Sequence, residues 1–112
     1  MKRFCLALDL KNDPSLIGEY EYWHSPGNVF PEVLQSLTDS GIRKMEIFRT
    51  GNRLVMLIET TDDFSFERKA VMDEENPKVV EWETMMSRFQ QRIPWAKPDQ
   101  KWVLLDKVFD FG

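Results

Sequence analysis

The sequence predicts an α+β domain: a four-stranded antiparallel sheet with its helices gathered on one face. Two observations carry that expectation. A strand-like segment lies near each end of the chain, and two more sit in the middle, separated by three residues that include a glycine. Each half also interposes a broken helical segment between its strands, so the order is strand, helices, strand, then strand, helices, strand.

Residues 3–10 (RFCLALDL) place Phe4, Leu6, Leu8 and Leu10 on one face and Cys5, Ala7 and Asp9 on the other. With the second face also mostly apolar, this reads as a strand buried on both sides. Asp13-Pro14 opens a helix, because the carboxylate can cap free N–H groups while proline at the first position gives up no hydrogen bond. Leu16, Ile17, Tyr20, Trp23 and His24 follow at helical spacing, and Ser25-Pro26-Gly27 stops the helix. A second helix is expected from about Val29 to Asp39, with Val29, Phe30, Val33, Leu34 and Leu37 as its apolar stripe and Gly41 as its terminator.

Segments 43–49 (RKMEIFR) and 53–60 (RLVMLIET), joined by Thr50-Gly51-Asn52, read as an antiparallel hairpin. Asp62-Asp63 precedes a short helix bearing Phe64, Phe66, Ala70 and Val71. Asn76-Pro77 repeats the cap-plus-proline signal ahead of a longer helix, in which Trp82, Met85, Met86 and Phe89 have i, i+3, i+4, i+7 spacing and which ends before Pro94. A last strand is expected over Trp102 to Phe109. Two βαβ halves around a central hairpin make the ferredoxin-like plait. Helices can cover only one face of that sheet, so a homodimer meeting through sheet faces or edges is expected to cover the other.

Composition narrows the function. A chain of 112 residues with four Trp and eight Phe suits one folded domain, residues 1–112. Fifteen basic against nineteen acidic residues, with no basic cluster, argue against nucleic acid as a partner. Asp9, Lys11, Asn12 and Asp13 cut the first apolar run too short for a signal peptide, and no run is long enough to span a membrane. Cys5, alone, excludes an internal disulfide framework and a cysteine-based zinc site, and predicts a reducing, cytoplasmic compartment. None of the five glycines builds a phosphate-binding loop.

Chemistry centres on His24, the single histidine, at the end of the first helix. Imidazole can give and take a proton near neutrality. The plainer role for a histidine there is a contact with the helix dipole. Tyr20 lies one turn earlier on the same face, and Trp23 adds aromatic surface. Phenol, imidazole and indole together suit a sugar, whose C–H faces stack on rings while its hydroxyls need donors and acceptors; aromatics at helical spacing also simply build cores.

The run Tyr22-Trp23-His24-Ser25-Pro26-Gly27-Asn28-Val29-Phe30-Pro31-Glu32-Val33 has specific content: Tyr-x-x-x-His, counting Tyr20, then a proline, then aromatic-Pro-Glu. With the apolar first strand, Met45-Glu46-Ile47-Phe48 and the late helix containing Trp82, the chain resembles the L-rhamnose mutarotase family from about Lys2 to Phe109. The resemblance implies a dimeric ferredoxin-like protein that interconverts the α and β anomers of a 6-deoxyhexose with no metal or organic cofactor. It implies His24 as the proton donor and Tyr20 as a substrate contact. Met45 stands where the family often has a tyrosine, and Glu81-Trp82 where it often has two tryptophans. Both L-rhamnose and L-fucose fit that reading.

Mutarotation needs the ring oxygen protonated as the anomeric hydroxyl loses its proton, so one acid and one base suffice. His24 is expected to be the acid, Tyr20 to orient the sugar and Trp82 to stack on it. Glu81, Glu46 or a water is the base; Glu81 can equally be a solvated helix carboxylate. Two other classes compete: a non-catalytic dimeric plait that binds a small ligand, and a cofactor-independent or haem-linked monooxygenase, for which fold analogy is the warrant.

Overall fold

Strand β1 (Lys2–Leu10) is the spine of the sheet in the computed structural model, which describes all residues from Met1 to Gly112. One edge of β1 pairs antiparallel with β3 (Arg53–Thr60) from Lys2↔Thr60 to Asp9↔Arg53. Beyond β3 lies β2 (Ile42–Thr50), in register from Lys44↔Glu59 to Thr50↔Arg53 after an irregularity between Ile42 and Lys44. The β2–β3 turn is Gly51-Asn52, with Gly51 at φ +57°. Asn52 anchors this turn to the end of β1: its amide donates to the Leu10 carbonyl at 3.0 Å, and its own carbonyl accepts from the Leu10 N–H at 2.6 Å.

The helices are α1 (Pro14–Trp23), α2 (Pro31–Asp39), α3 (Phe66–Glu74) and α4 (Pro77–Ser87). Both Asx-Pro starts appear where expected. Asp13 accepts from the N–H groups of Ser15 and Leu16, and Asn76 from those of Lys78 and Val79. Helix α2 starts two residues later than expected, because Phe30 precedes a proline and is held in the extended region, φ −57°, ψ 130°. Gly41, at φ +100°, turns the chain from α2 into β2; a Cβ there would lie 2.7 Å from Thr61 Oγ1.

Pairing with β3 assigns the two faces of the sheet. Leu6, Leu8 and Leu10 share the helix side with Leu54, Met56 and Ile58, whereas Cys5, Ala7 and Asp9 share the other with Arg53, Val55 and Leu57. The core is thus on the helix side. One part joins Leu10, Tyr20, Val33, Leu54, Val79, Trp82, Met86 and Phe89, and the other joins Leu6, Ile42, Met56, Ile58 and Phe64. On the outer face, Arg53 makes a bidentate ion pair with the buried Asp9 at 2.7 and 3.1 Å and lies under the Trp95 ring.

The C-terminal third corrects the sequence reading. Helix α4 ends at Ser87, before Pro94 as expected, but the fully buried Phe89, expected on its stripe, lies past its end in the turn through Arg88. The expected four-stranded sheet has five strands: Gln90–Gln91 forms β4 against Asp9–Leu10, and the strand expected over Trp102–Phe109 is reduced to β5 (Val103–Leu104) against Leu6–Ala7. Both pieces lie along the same edge of β1, with 92–102 looping out between them. Alternating apolar residues make a segment suited to a strand, but pairing needs an edge in register, and past Val103 and Leu104 a single further bond, from the Leu105 N–H to the Cys5 carbonyl at 2.8 Å, ties the chain to β1. Beyond them Val108, Phe109 and Phe111 are exposed. No helix is long and apolar enough to cross a membrane.

Candidate functional site

Helix α1 places three polar side chains around one cleft. Tyr20 and Glu21 lie one turn before His24, the C-cap residue, and all three line the cleft. The cleft, about 180 Å³, is lined by these three with Ile47, Phe48 and Arg49 of β2 and Leu54 of β3.

The imidazole is held on both sides. Its ring lies 4.2 Å from the Tyr20 ring at an interplanar angle of 32°, and 5.4 Å from the Trp82 ring at 71°. Trp82 is held in turn by Phe30, edge to face at 5.1 Å. His24 Nδ1 lies 2.8 Å from the Tyr20 carbonyl oxygen. A carbonyl only accepts, so Nδ1 carries the hydrogen and donates. In the neutral ring Nε2 therefore bears the lone pair, and no other hydrogen bond within the protein engages the ring.

Electrostatics supports the same state. Burial lowers the His24 pKa from its ordinary value, and the bond to the Tyr20 carbonyl opposes this only in part. The imidazole is neutral near pH 7. Burial, and secondarily the charge of Glu83, pushes the Tyr20 phenol upward, so it stays protonated.

The residues expected from sequence separate into two groups. His24 and Tyr20 line the cleft together. Trp82, expected to stack on a ligand, is 6% exposed and walls the imidazole from the core side. Glu81, its neighbour on α4, points to solvent 3.7 Å from Lys78 Nζ. Met45 faces the helices but packs against the Ile42–Phe64 part of the core, one strand repeat short of the cleft. Glu46 alternates to the outer face of β2, beside Lys44 at 3.7 Å.

Sequence reasoning missed Glu21, Arg49, Ile47 and Leu54. The signal existed for Arg49: it shares the period-2 face of Met45 and Ile47, an unusual place for a guanidinium if that face meets only core. Its side chain donates to the Gly51 carbonyl at 2.8 Å and lies 3.5 Å from Glu21 Oε1.

Comparison with known proteins places the chain and its fold. The chain is 44% identical over 109 residues to an L-fucose mutarotase of Xanthomonas campestris pv. campestris, covering 97% of this chain and 87% of that protein. It is 39% identical over 116 residues to a UPF0734 protein of Dictyostelium discoideum, covering 97% and 89%. Among solved structures, an L-rhamnose mutarotase from Formosa agariphila superposes with a TM-score of 0.71 at 22% identity, and tetracenomycin F2 cyclase from Streptomyces glaucescens with 0.64 at 15%, each over the whole of both chains. At those identities the structures speak for the fold, α+β and ferredoxin-like, and not for the chemistry. The sequence model for L-rhamnose mutarotase matches residues 3–111. On that match the chain belongs to the L-rhamnose mutarotase family, whose members are carbohydrate isomerases.

Proposed function

We propose that this protein interconverts the α and β anomers of a 6-deoxyhexose, L-fucose or L-rhamnose, with His24 as its catalytic residue. The observation that carries this is the donor bond from His24 Nδ1 to the Tyr20 carbonyl, which leaves Nε2 as the one free proton-transfer atom of the ring beside the cleft. The 44% identity to a protein described as an L-fucose mutarotase favours L-fucose as the first sugar to test.

The neutral imidazole sets the order of proton transfers. Nε2 takes the proton of the anomeric hydroxyl as the bond between C1 and the ring oxygen breaks, and the ring oxygen takes a proton from water at the cleft mouth. The open aldehyde turns about its C1–C2 bond. On closing, the ring hydroxyl attacks the other carbonyl face and returns its proton to water, while Nε2–H delivers its proton to the carbonyl oxygen. His24 is thus the base in opening and the acid in closing, and the protein ends as it began. One positioned group of this kind is worth about 10²–10⁴-fold, enough for a reaction that already proceeds in water. Tyr20 and Trp82 fix the ring plane. Glu81 and Glu46 have no part in it, since neither lines the cleft.

The test is NMR saturation transfer between the anomeric proton signals of L-fucose, L-rhamnose and a panel of other sugars. Faster exchange of at least one 6-deoxyhexose with protein than in buffer is expected. Exchange no faster than buffer for every sugar would overturn the reading, and binding without faster exchange would leave a ligand-binding plait. Shift of a haem Soret band on titration would instead support the monooxygenase-like class.

The homodimer belongs to the same proposal, with a reducing cytoplasm as its compartment. The outer face presents Phe48, Val55 and Leu57, and Leu104, Leu105, Val108, Phe109 and Phe111 are exposed in the C-terminal arm. An apolar surface on this scale calls for a partner, and a second copy supplies one. Sedimentation is expected to give about twice 13.3 kDa, and a monomer at micromolar concentration would overturn it.

A further inference from the structure

The proton transfers leave Arg49 without a task, although it reaches the same cleft as His24. Alternation along β2 directs Met45, Ile47 and Arg49 toward the helices, and while Ile47 stops at the core, Arg49 extends past it to Glu21. We propose that Arg49, oriented by Glu21 and the Gly51 carbonyl, is a specificity-determining residue that binds neighbouring ring hydroxyls of the sugar and so decides which 6-deoxyhexose is accepted. The inference rests on the mutarotase reading.

The Arg49–Glu21 contact has the character of a binding site rather than a structural clamp. At 3.5 Å, with the Glu21 side chain 56% exposed, it is an ion pair of the kind that adds little to stability. One guanidinium nitrogen is fixed by the Gly51 carbonyl at 2.8 Å, so the group is held in place without being saturated. Guanidinium only donates and carboxylate only accepts, whereas a hydroxyl does both. A sugar hydroxyl between them accepts from Arg49 and donates to Glu21, and an adjacent hydroxyl meets the remaining N–H groups of the fork. Ile47 offers apolar surface to the C–H side of the ring. Glu21 is three residues before His24 on α1, so a ring gripped at one end of the cleft presents its other end to the imidazole.

6-Deoxyhexoses differ from one another in the orientation of their ring hydroxyls, and a site built to hydrogen-bond a hydroxyl rejects the epimer that leaves its partners unpaired. Anomer exchange of L-fucose and L-rhamnose by wild type, Arg49→Met, Arg49→Lys and Glu21→Gln tests this. Arg49→Met is expected to raise KM for the preferred sugar by about 10- to 100-fold, the worth of hydrogen bonds to a charged group. Its kcat should change by less than roughly threefold, because the bonds lost are equally present before the transition state. The wild-type preference between the two sugars should collapse toward unity, with Glu21→Gln intermediate and Arg49→Lys recovering part of the KM. Unchanged KM and preference in Arg49→Met, or a loss confined to kcat with preference intact, would overturn the assignment. A wild type inactive on every sugar would overturn the mutarotase reading itself, which keeps the two failures apart.

Discussion

Helices α1 and α4 both open on an Asx side chain that caps two backbone N–H groups and a proline that follows it, yet past the first turn they carry different burdens. Helix α4 buries Val79, Trp82 and Met86 and forms one wall of the core. Helix α1 buries only Tyr20 and ends on His24. The imidazole thus sits on the less anchored helix and takes its rigidity from the other. A caps-and-stripe reading of the two segments makes them look equivalent, whereas the packing makes them unequal: one helix presents the imidazole to the cleft, and the other packs its indole against it.

Breaking the wall should have the largest effect. Trp82→Ala removes a buried indole from contact with Phe30 and His24 and is expected to cost about 3–5 kcal/mol by denaturant unfolding, with activity falling as the imidazole loses its support. A loss under about 1 kcal/mol would mean that the wall is replaceable. Removing the presented atom comes next. His24→Ala should lower turnover at least about 10²-fold while circular dichroism and melting stay near wild type, and full activity would return His24 to a structural role.

Acid offers a gentler perturbation of the same contrast. Burial lowers the pKa of folded His24 below its ordinary 6.5, so the unfolded chain binds the proton more readily than the folded one. The stability contributed by the neutral ring is fully present above pH 6.5 and is lost as pH falls through the lowered folded value. Catalysis should follow the same direction, with kcat/KM, corrected for the buffer reaction, flat near neutrality and half-lost below pH 6.5. An acid limb centred above pH 6.5 would contradict a neutral, partly buried imidazole.

The smallest effects probe the exposed sides of the two helices. Gly18 lies inside α1 with open space where a Cβ would stand, so Gly18→Ala should stabilise the protein by about 0.5–1 kcal/mol in thermal unfolding without changing anomer exchange. Glu81→Gln on α4 should leave both stability and activity within about 0.5 kcal/mol of wild type. A larger loss of activity would bring Glu81 back into the chemistry.

The sequence made the helix starts, the central hairpin and the two-faced first strand legible, because capping chemistry and side-chain period are local. His24 and Tyr20 were legible for the same reason: one helical turn fixes their proximity. Trp82 was legible as a neighbour but not as a buried wall, since burial depends on Phe30 arriving from another segment. Arg49 was legible only as an oddly placed guanidinium on the period-2 face of Met45 and Ile47, since its approach to Glu21 of α1 is a long-range contact. The broken last strand shows the same limit, as Trp102 to Phe109 has the alternation of a strand and only two residues find a ladder.

That interruption reaches beyond the single molecule. A sheet of two βα halves has two outer strands, each a potential template for another chain. On one side the template is cut into β4 and β5, two residues each, too short to seed a continuous ladder. On the other, β2 has an irregularity after Ile42 and exposes Arg43, Lys44, Glu46 and Arg49 along its length. Charge and discontinuity of this sort resist edge-to-edge polymerisation. Concentrated solutions should therefore stay free of fibrils, and a substitution series that joined the two short strands into one would be the route to making this protein assemble into filaments.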